Sequence, residues 1–273
     1  MKAAVGARTS DQGRARIMQT LRYSFILTRQ ALFDPFRGHV LGGLWIILNP
    51  LLITLVYLFL FNVVFIVRMN GVSPSQGSYT VFLLAGLVPW LTMQASLQRS
   101  PTSITANHSL AEDNNVPYAS LPLRDTLMSL PTWIVGFTAL GAYMIVGREM
   151  HWTLLLLPLL LVVQLALTAG VALLLSAVGV FFRDAREVVN SFFLVATFLL
   201  PIAYQPDSVP ALLQPLIWIN PFTYMVLCYQ DAVYFGVAMH AYAWIVFPVI
   251  ALVALLLGTR VFARLSPYFG AFR

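Results

Sequence analysis

Residues 40–67 form an unbroken run of 28 residues without a single charged side chain. At about 1.5 Å of rise per residue, a helix of this length reaches about 42 Å, more than the roughly 30 Å of hydrocarbon in a bilayer. The run therefore predicts a membrane-spanning helix that tilts or protrudes. The composition agrees, because 59% of the residues are hydrophobic and only 10% are charged, as in integral membrane proteins.

Further apolar segments give seven candidate crossings in all, the later six being residues 79–97, 127–146, 152–182, 188–204, 210–229 and 242–262. The basic residues indicate the orientation, since Lys and Arg collect on the cytoplasmic side of membrane proteins. If alternate loops face the cytoplasm, fourteen of the sixteen Lys and Arg residues lie there, and only Arg68 and Arg148 lie outside. This bias predicts a cytoplasmic N-terminus.

The same rule indicates that one of the seven segments does not cross. Arg183 and Arg186 should share the cytoplasmic side with the tail from Arg260 onwards, so an even number of crossings separates them. Three apolar segments lie between, and the middle one is rich in proline, at positions 210, 215 and 221. Because proline breaks a regular lipid-facing helix, residues 206–229 are predicted to form a re-entrant hairpin on the outer side.

The predicted fold is therefore an all-α integral membrane protein with six transmembrane helices and both termini in the cytoplasm. Residues 1–39 form a cytoplasmic tail and an interfacial helix, residues 40–262 form the membrane domain, and residues 263–273 form a second cytoplasmic tail. The hairpin lies between spans 5 and 6. The predicted spans are residues 40–67, 79–97, 127–146, 152–182, 188–204 and 242–262.

Residues 16–34 are predicted to form an amphipathic helix that lies at the membrane interface, after a loose tail over residues 1–15. Its apolar stripe consists of Met18, Leu21, Phe25 and Leu32. Arg22 and Arg29 flank the stripe, where they can extend to lipid headgroups, and Arg37 stands just before the first span. The alternative is an ordinary extension of the chain next to the membrane.

Several kinds of chemistry find no support in the sequence. A phosphate-binding loop needs a lysine, and the only lysine is Lys2. We find no catalytic triad and no metal-binding cluster, and the ten acidic residues fall in the tail, in loops or at span ends. The predicted spans contain a few polar side chains, namely those of Asn49, Asn62, Gln94, Gln164 and Asn190. Such residues more often form hydrogen bonds between helices than bind substrate. The chain therefore resembles a passive pathway with no cofactor of its own.

Residues 98–121 form the loop best suited to receive energy from a partner. Ser109 and Glu112 have the spacing of a capping box, and Asn114 and Asn115 can end the short helix that it begins. The candidate docking residues of this loop are His108, Leu110, Glu112, Asp113 and Asn115. A second candidate is the charged turn that contains Arg183 and Asp184. The alternative interpretation of both is a solvated turn.

Six motifs in order resemble those of one family of membrane proteins. Residues 35–45 are similar to Arg-Tyr-Arg-x-Ser/Thr-x-Leu-Gly-x-x-Trp, although Pro35 and His39 replace an arginine and a hydroxyl residue. Residues 82–90 are similar to Leu-x-Gly-Leu-x-Pro-Trp, and residues 101–117 resemble the loop before the third span. Three shorter motifs follow. They are an aromatic-Arg-Asp turn at residues 182–184, Pro-Ile-x-Tyr at residues 201–204 and Asn-Pro at residues 220–221. Where the family tends to have an arginine after Asn-Pro, this chain has Gln230 and Asp231.

The family that the motifs resemble is the membrane permease of ABC exporters for capsule, O-antigen and teichoic acid chains. The resemblance implies a homodimer in a bacterial inner membrane, with two ATPase subunits that bind ATP and Mg²⁺ beneath it. It implies a polysaccharide substrate, contacts with lipid and possible contacts with envelope export proteins, but no nucleic acid. It also implies that the loop over residues 98–121 docks on the ATPase. An ABC permease for a lipid or drug, or an intramembrane transferase, remains the alternative.

The resemblance further implies that the first and fifth spans line the translocation path. Tyr57, Phe61 and Phe65 recur at helical spacing and form one aromatic stripe along the first span, where they can hold sugar rings weakly. Trp90 of the second motif is a further candidate. The alternative is that the stripe packs against another helix or faces lipid. An outer gate is expected at Pro201, Tyr204, Asn220 and Pro221.

Overall fold

The computed structural model of the chain describes residues 2–60, 78–148 and 150–271, with side chains described from Ile17 onwards except for Asp113 and Ala271. These residues form helices and connecting turns, and none of them lies in a strand. Five helical segments are long and apolar enough to cross a membrane, namely Gly42–Phe59, Tyr79–Thr102, Ser120–Gly147, Trp152–Phe181 and Ala243–Gly270. The predicted class, an all-α multi-pass membrane protein, is confirmed at this level.

The α-helices of the described residues are numbered in chain order. They are α1 (Lys2–Phe33), α2 (Trp45–Phe59), α3 (Tyr79–Arg99), α4 (His108–Asp113), α5 (Ser120–Leu127), α6 (Leu130–Gly147), α7 (Leu157–Phe181), α8 (Ala185–Leu199), α9 (Gln214–Ile219), α10 (Thr223–Gln230) and α11 (Ala243–Leu265). A π-helical turn, Asp231–Phe235, extends α10, and 3-10 turns precede α7 at Trp152–Leu156 and follow α11 at Ser266–Ala271.

Helix α3 is the centre of the bundle. In its segment 83% of the most apolar window is buried inside the protein, whereas the other four candidate spans are buried over 33% or less. Its neighbours are α6, α7, α8 and α10. A Cβ on Gly136 of α6 would lie only 2.7 Å from Cγ1 of Val88, so α6 approaches α3 closely where the glycine stands. The other spans expose the apolar surface that lipid or a second subunit can cover.

Helices α7 and α11 make the most extensive pair of contacts in the bundle. Gly170 and Gly258 face each other at their crossing, and a Cβ on Gly258 would overlap the carbonyl oxygen of Gly170. Small residues allow two helix backbones to approach in this way, and packing then replaces the hydrophobic effect as the main attraction within a membrane. Any larger side chain at either glycine would separate the two helices.

Helix α10 and its π-helical extension run antiparallel to α3, and three contacts show the register. The ring centroids of Phe222 and Trp90 are 5.6 Å apart, and those of Tyr234 and Phe82 are 5.3 Å apart. Between these pairs, a Cβ on Gly86 would lie 2.9 Å from Cγ1 of Val226. The turn before α10 therefore lies beside the middle of α3, and the π-helical turn lies beside its first turns.

A second core lies at the other end of α3. It consists of Leu27, Ile104, Ala111, Val116, Leu121, Leu173, Ala177, Phe262 and Phe269. Helix α1 contributes a face that packs on α5, where Ser24, Leu27 and Thr28 are buried. The predicted apolar stripe of α1 points elsewhere, because Met18 and Phe25 are 70% and 68% exposed. That stripe stays a prediction for the membrane interface.

Three boundaries differ from those predicted. Helix α1 begins at Lys2, so residues 2–15 continue the helix instead of forming a loose tail. The third span is preceded by α5, and Met128 and Ser129 join α5 to α6. Helix α11 continues to Leu265, three residues beyond the predicted end of the last span, and Phe269 in the segment after it is fully buried. For α5 and for the segment after α11, contacts with residues distant in sequence extend the ordered structure, which local patterns cannot show.

Candidate functional site

Helix α4 begins differently from the predicted capping box. The helix starts at His108, and Asn107 occupies the N-cap position without a side-chain cap hydrogen bond. Ser109 therefore lies inside the first turn, and the capping box with Glu112 is wrong. Asn107 instead joins two segments, since its amide donates to the Ser103 carbonyl at 2.8 Å and its Oδ1 accepts from Arg124 Nη1 at 3.1 Å. A contact with α5 thus fixes the start of α4.

The predicted end of α4 at Asn114 and Asn115 is confirmed. Asn115 has a φ of 55°, a left-handed conformation that asparagine tolerates well. Its N–H donates to the Glu112 carbonyl at 3.3 Å, and the Val116 N–H donates to the Ala111 carbonyl at 3.0 Å. These two bonds form a Schellman motif, which Val116 and Ala111 complete by packing in the second core. The motif turns the chain sharply, so that α4 protrudes from the loop.

His108 links α4 to the part of the loop that follows this helix. Its Nδ1 lies 3.6 Å from Glu112 Oε2, and its Nε2 lies 3.5 Å from the Tyr118 hydroxyl. Burial and the nearby Glu112 carboxylate raise the pKa of the Tyr118 phenol, so this hydroxyl stays protonated and can donate to Nε2. Leu110 is partly exposed on the same helix and packs at the edge of the second core.

The two loops that the sequence singled out separately meet in one cleft. A cavity of about 750 Å³ lies between α4 and the turn after α7, and His108, Ser109, Glu112, Arg183 and Arg186 are among its lining residues. Gly179 brings the two loops together, because a Cβ there would overlap the carbonyl of Pro101. The structure gives Arg183 and Arg186 no ion pair with a described carboxylate. The cleft therefore combines an exposed acid with two cations available to a partner.

The predicted headgroup-facing arginines lie at the surface of α1 and of the turn before α2. Arg22 and Arg29 are both exposed on α1. Arg37 is exposed too and forms an ion pair with Asp34, with 3.0 Å between Nη2 and Oδ1. This pair connects two residues only three positions apart, so it contributes little to stability at the surface.

The predicted path residues are distributed unevenly. Tyr57 is partly buried on α2 and packs against the main core, while Phe61 and Phe65 lie outside the described residues. Trp90 is fully buried, and its Nε1 donates to Thr197 Oγ1 at 2.9 Å. In this conformation Trp90 has no surface open to a substrate and acts as a packing residue between α3, α8 and the turn before α10.

The predicted gate residues belong to two separate turns. The Pro201 carbonyl accepts from Gln230 Nε2 at 2.9 Å, and the Tyr204 hydroxyl donates to the Leu199 carbonyl at 2.8 Å. Asn220 Oδ1 accepts from the Phe222 N–H at 3.1 Å, which positions Pro221 at the start of the turn into α10. The first turn holds the end of α8, and the second lies beside the middle of α3.

A buried polar network confirms the expectation that Gln164 joins helices. Its Nε2 donates to the Pro89 carbonyl at 2.9 Å and to Thr92 Oγ1 at 3.0 Å, and its Oε1 accepts from the Tyr229 hydroxyl at 2.6 Å. The Tyr229 hydroxyl in turn accepts from Trp133 Nε1 at 3.1 Å. The network connects α3, α6, α7 and α10 away from water.

Sequence reasoning missed the role of one acidic residue. Asp231 is fully buried, and its carboxylate accepts from the His240 N–H at 2.9 Å and from Trp244 Nε1 at 3.0 Å. His240 Nδ1 lies 2.8 Å from the other carboxylate oxygen. The sequence did contain a signal for this role. Asp231 follows a proline-rich segment and precedes two side chains that can donate hydrogen bonds to it, His240 and Trp244. In the part of the chain that the structure describes, no three His, Cys, Asp or Glu side chains are grouped to hold a metal.

The five long apolar helices define a multi-pass membrane protein. The model of the ABC-2 type transporter family matches residues 22–234, and the chain belongs to this family. An O-antigen export system permease protein of Myxococcus xanthus is 30% identical over 220 residues, which cover 76% of this chain and 78% of the relative.

Two further relatives come from enteric bacteria. An O-antigen export system permease protein of Klebsiella pneumoniae is 26% identical over 244 residues, or 88% of this chain and 91% of the relative. A polysialic acid transport protein of Escherichia coli is 26% identical over 216 residues, or 78% of this chain and 81% of the relative. The similarity thus covers 78% to 91% of the relatives, whose names refer to O-antigen export or polysialic acid transport.

Proposed function

We propose that this chain is the membrane-spanning permease subunit of an ATP-driven exporter that carries a polysaccharide out of a bacterial cytoplasm. The observation that carries the proposal is the long similarity to permease proteins of O-antigen export systems and to a polysialic acid transport protein. The fold supports it, because apolar helices build the described bundle and its buried polar groups join helices. The glycan is either free or linked to a lipid.

The proposed topology has six spans in the inner membrane, with both ends in the cytoplasm. Helix α8 is the fifth span, and α9 and α10 form the re-entrant hairpin on the outer side. Helices α9 and α10 have six and eight residues, far too few to cross a bilayer. The packing of Phe222 beside Trp90 supports a hairpin that descends to mid-depth and returns. The charge bias of the loops supports the orientation.

The cleft between α4 and the turn after α7 is the proposed docking site for the ATPase. ABC transporters couple transport to ATPase partners, and membership of the family assigns this chain to such a complex. We propose a homodimer of this chain on two ATPase subunits, which hold ATP and Mg²⁺. Glu112 on one side of the cleft and Arg183 and Arg186 on the other offer both charge signs to a partner.

The proposed glycan path runs along the first and fifth spans. Tyr57, Phe61 and Phe65 supply aromatic faces that contact sugar rings without fixing one position, which suits a polymer that slides. Asp113 and Asp184 belong to the proposed coupling loops, and Pro201, Tyr204, Asn220 and Pro221 to the outer gate. Envelope proteins that receive the glycan are further partners in this proposal.

Deletion of the gene tests the proposal directly. We expect surface polysaccharide to disappear and the same polymer to accumulate in the cytoplasm, as measured by immunoblotting of fractionated cells. The intact gene should restore export, and a variant with Arg183→Glu and Arg186→Glu should restore it poorly. Unchanged surface glycan with altered resistance to lipophilic compounds would favour an ABC permease for a lipid or drug. Loss of the glycan from both compartments would favour a transferase.

A further inference from the structure

A second cavity lies at the end of the bundle opposite the cleft. Its volume is about 360 Å³, and it is lined by Phe82, Gln205, Pro206, Asp207, Trp218, Gln230, Phe235, Met239, His240 and Tyr242. We call it the terminal pocket. Phe82 stands in the first turn of α3, whereas the loop with the cleft follows the last turn, so about 30 Å of helix separate the two sites. The volume lies in the range of small-ligand sites.

Aromatic rings form one wall of the terminal pocket. The ring centroids of Trp218 and Tyr242 are 5.8 Å apart with the rings nearly perpendicular, and His240 stands 6.1 Å from Tyr242. Phe235 lies 6.0 Å from His240. Trp218 is partly exposed and Tyr242 is 44% exposed, so both offer ring surface to a molecule in the pocket. Such rings hold the apolar C–H face of a flat or chair-shaped ring.

Among the polar side chains of the pocket, that of His240 is held in place by Asp231, whereas those of Gln205 and Asp207 are available for binding. Asp231 below the pocket accepts from the His240 N–H and lies 2.8 Å from His240 Nδ1, which places the ring proton on Nδ1. The structure gives Nε2 no partner among the described residues, so it can exchange a hydrogen bond with a ligand. Gln205 and Asp207 likewise make no side-chain hydrogen bond to a described residue. Hydroxyl groups would satisfy all three side chains.

The charge of this region is one-sided. Residues 205–242 contain two carboxylates, Asp207 and Asp231, and no lysine or arginine. A carboxylate or phosphate group in the pocket would face Asp207 without a neighbouring cation of this segment, and two like charges at short distance repel each other. A neutral, hydroxyl-rich ring meets no such penalty.

We propose that the terminal pocket binds one neutral pyranose unit of the exported glycan on the outer side of the membrane. The inference rests on the proposed function and adds a site and a charge class to it. Trp218 and Tyr242 contact the C–H face of the sugar, while Asp207, Gln205 and His240 Nε2 take hydrogen bonds from its hydroxyls.

Photo-crosslinking in exporting cells tests the site. A photoreactive phenylalanine replaces Met239, which lines the pocket and is 60% exposed, or Val237 of the same loop, which is 56% exposed and does not line it. We expect light to attach glycan to the chain at position 239, visible as slower bands that periodate oxidation removes. Position 237 should give at least tenfold less product. The same reporter at Tyr242 is a second probe if the Met239 variant is absent from the membrane.

A second set of variants tests the chemistry. In the crosslinking strain, Trp218→Leu should lower the yield at least tenfold, and Trp152→Leu, at an exposed tryptophan outside the pocket, should not. The surface glycan that depends on the gene, once released from any lipid anchor and hydrolysed, should contain neutral hexose-type sugars in its repeating unit. Equal crosslinking at both positions, or none while export continues, would overturn the site, and a glycan in which every sugar carries a carboxylate or phosphate would overturn the charge class. Surface glycan that persists without the gene would instead reject the proposed function.

Discussion

The ring of Phe269, in the turn after α11, packs edge-on against the ring of Tyr118, with 5.7 Å between their centroids. Tyr118 in turn lies 5.8 Å from the His108 ring at the start of α4. The last turn of the chain therefore supports the loop that carries the proposed docking helix. Because Phe269 follows α11 directly, a shift of this span reaches α4 through two rings.

The first prediction concerns this support. Phe269→Ala should remove a fully buried ring and cost about 3–5 kcal/mol of unfolding free energy, since the second core cannot collapse around the gap. The cost should appear as a lower thermal midpoint in detergent and as a loss of ATPase stimulation. Tyr268→Ala, at a neighbouring residue that is 59% exposed, is the matched control and should change neither.

The second prediction concerns the proposed docking helix. Leu110→Asp should place an unpaired charge in an apolar contact and weaken the contact with the ATPase by about 2–4 kcal/mol. The ATPase should then no longer co-purify, while the permease keeps its normal elution volume in detergent. Leu110→Met, which keeps the apolar volume, should behave as the original chain. Normal co-purification of the aspartate variant would move the contact to residues 183–187.

The third prediction concerns the proposed topology. In a variant with Cys228→Ser, cysteines at positions 13 and 271 should resist a membrane-impermeant thiol reagent added to intact cells, because both termini are placed in the cytoplasm. A cysteine at Asp207, which is exposed at the other end of the bundle, should react. So should one at Ser75, which lies outside the described residues. Labelling at position 271 from outside would reject the six-span topology together with its hairpin.

The fourth prediction concerns the crossing of α7 and α11. Gly258→Ala should push the two helices apart, because its Cβ would overlap the Gly170 carbonyl, at a cost of about 1–3 kcal/mol or more. Gly141→Ala is the control, since no atom lies within 4 Å of its added Cβ, and it should be neutral or stabilising by up to about 1 kcal/mol. Equal thermal midpoints for the two variants would contradict the close packing.

The fifth prediction concerns the aromatic stripe of the first span. Replacement of Tyr57 and Phe61 by leucine keeps apolar bulk and removes the flat faces. We expect the surface glycan to fall several-fold at equal expression, with the ATPase still bound. Leu52→Ile on the exposed side of α2 is the control and should leave export intact. Full export by the double variant would assign the stripe to packing.

Sequence reasoning predicted what depends on composition and short-range pattern. It predicted the apolar segments of the five candidate spans, the polar role of Gln164 and the end of α4 at Asn115, because each depends on hydropathy or on local backbone preference. It missed the buried Asp231 and the buried Phe269, whose partners lie in other segments of the chain. It also placed a capping box at Ser109, where Arg124, seventeen residues from Asn107, fixes a different start. Contacts between distant segments decide such cases, and one sequence does not display them.

The enclosure of α3 has a mechanical consequence. Protein surrounds this helix along most of its length, so the surrounding lipid can absorb little of a displacement along its axis. One of its ends adjoins the cleft and the other adjoins the terminal pocket. A force that the proposed ATPase partner exerts at the cleft would thus be transmitted along α3 to the terminal pocket. Bilayers of different acyl-chain length should therefore change the displacement of α3 during transport only slightly.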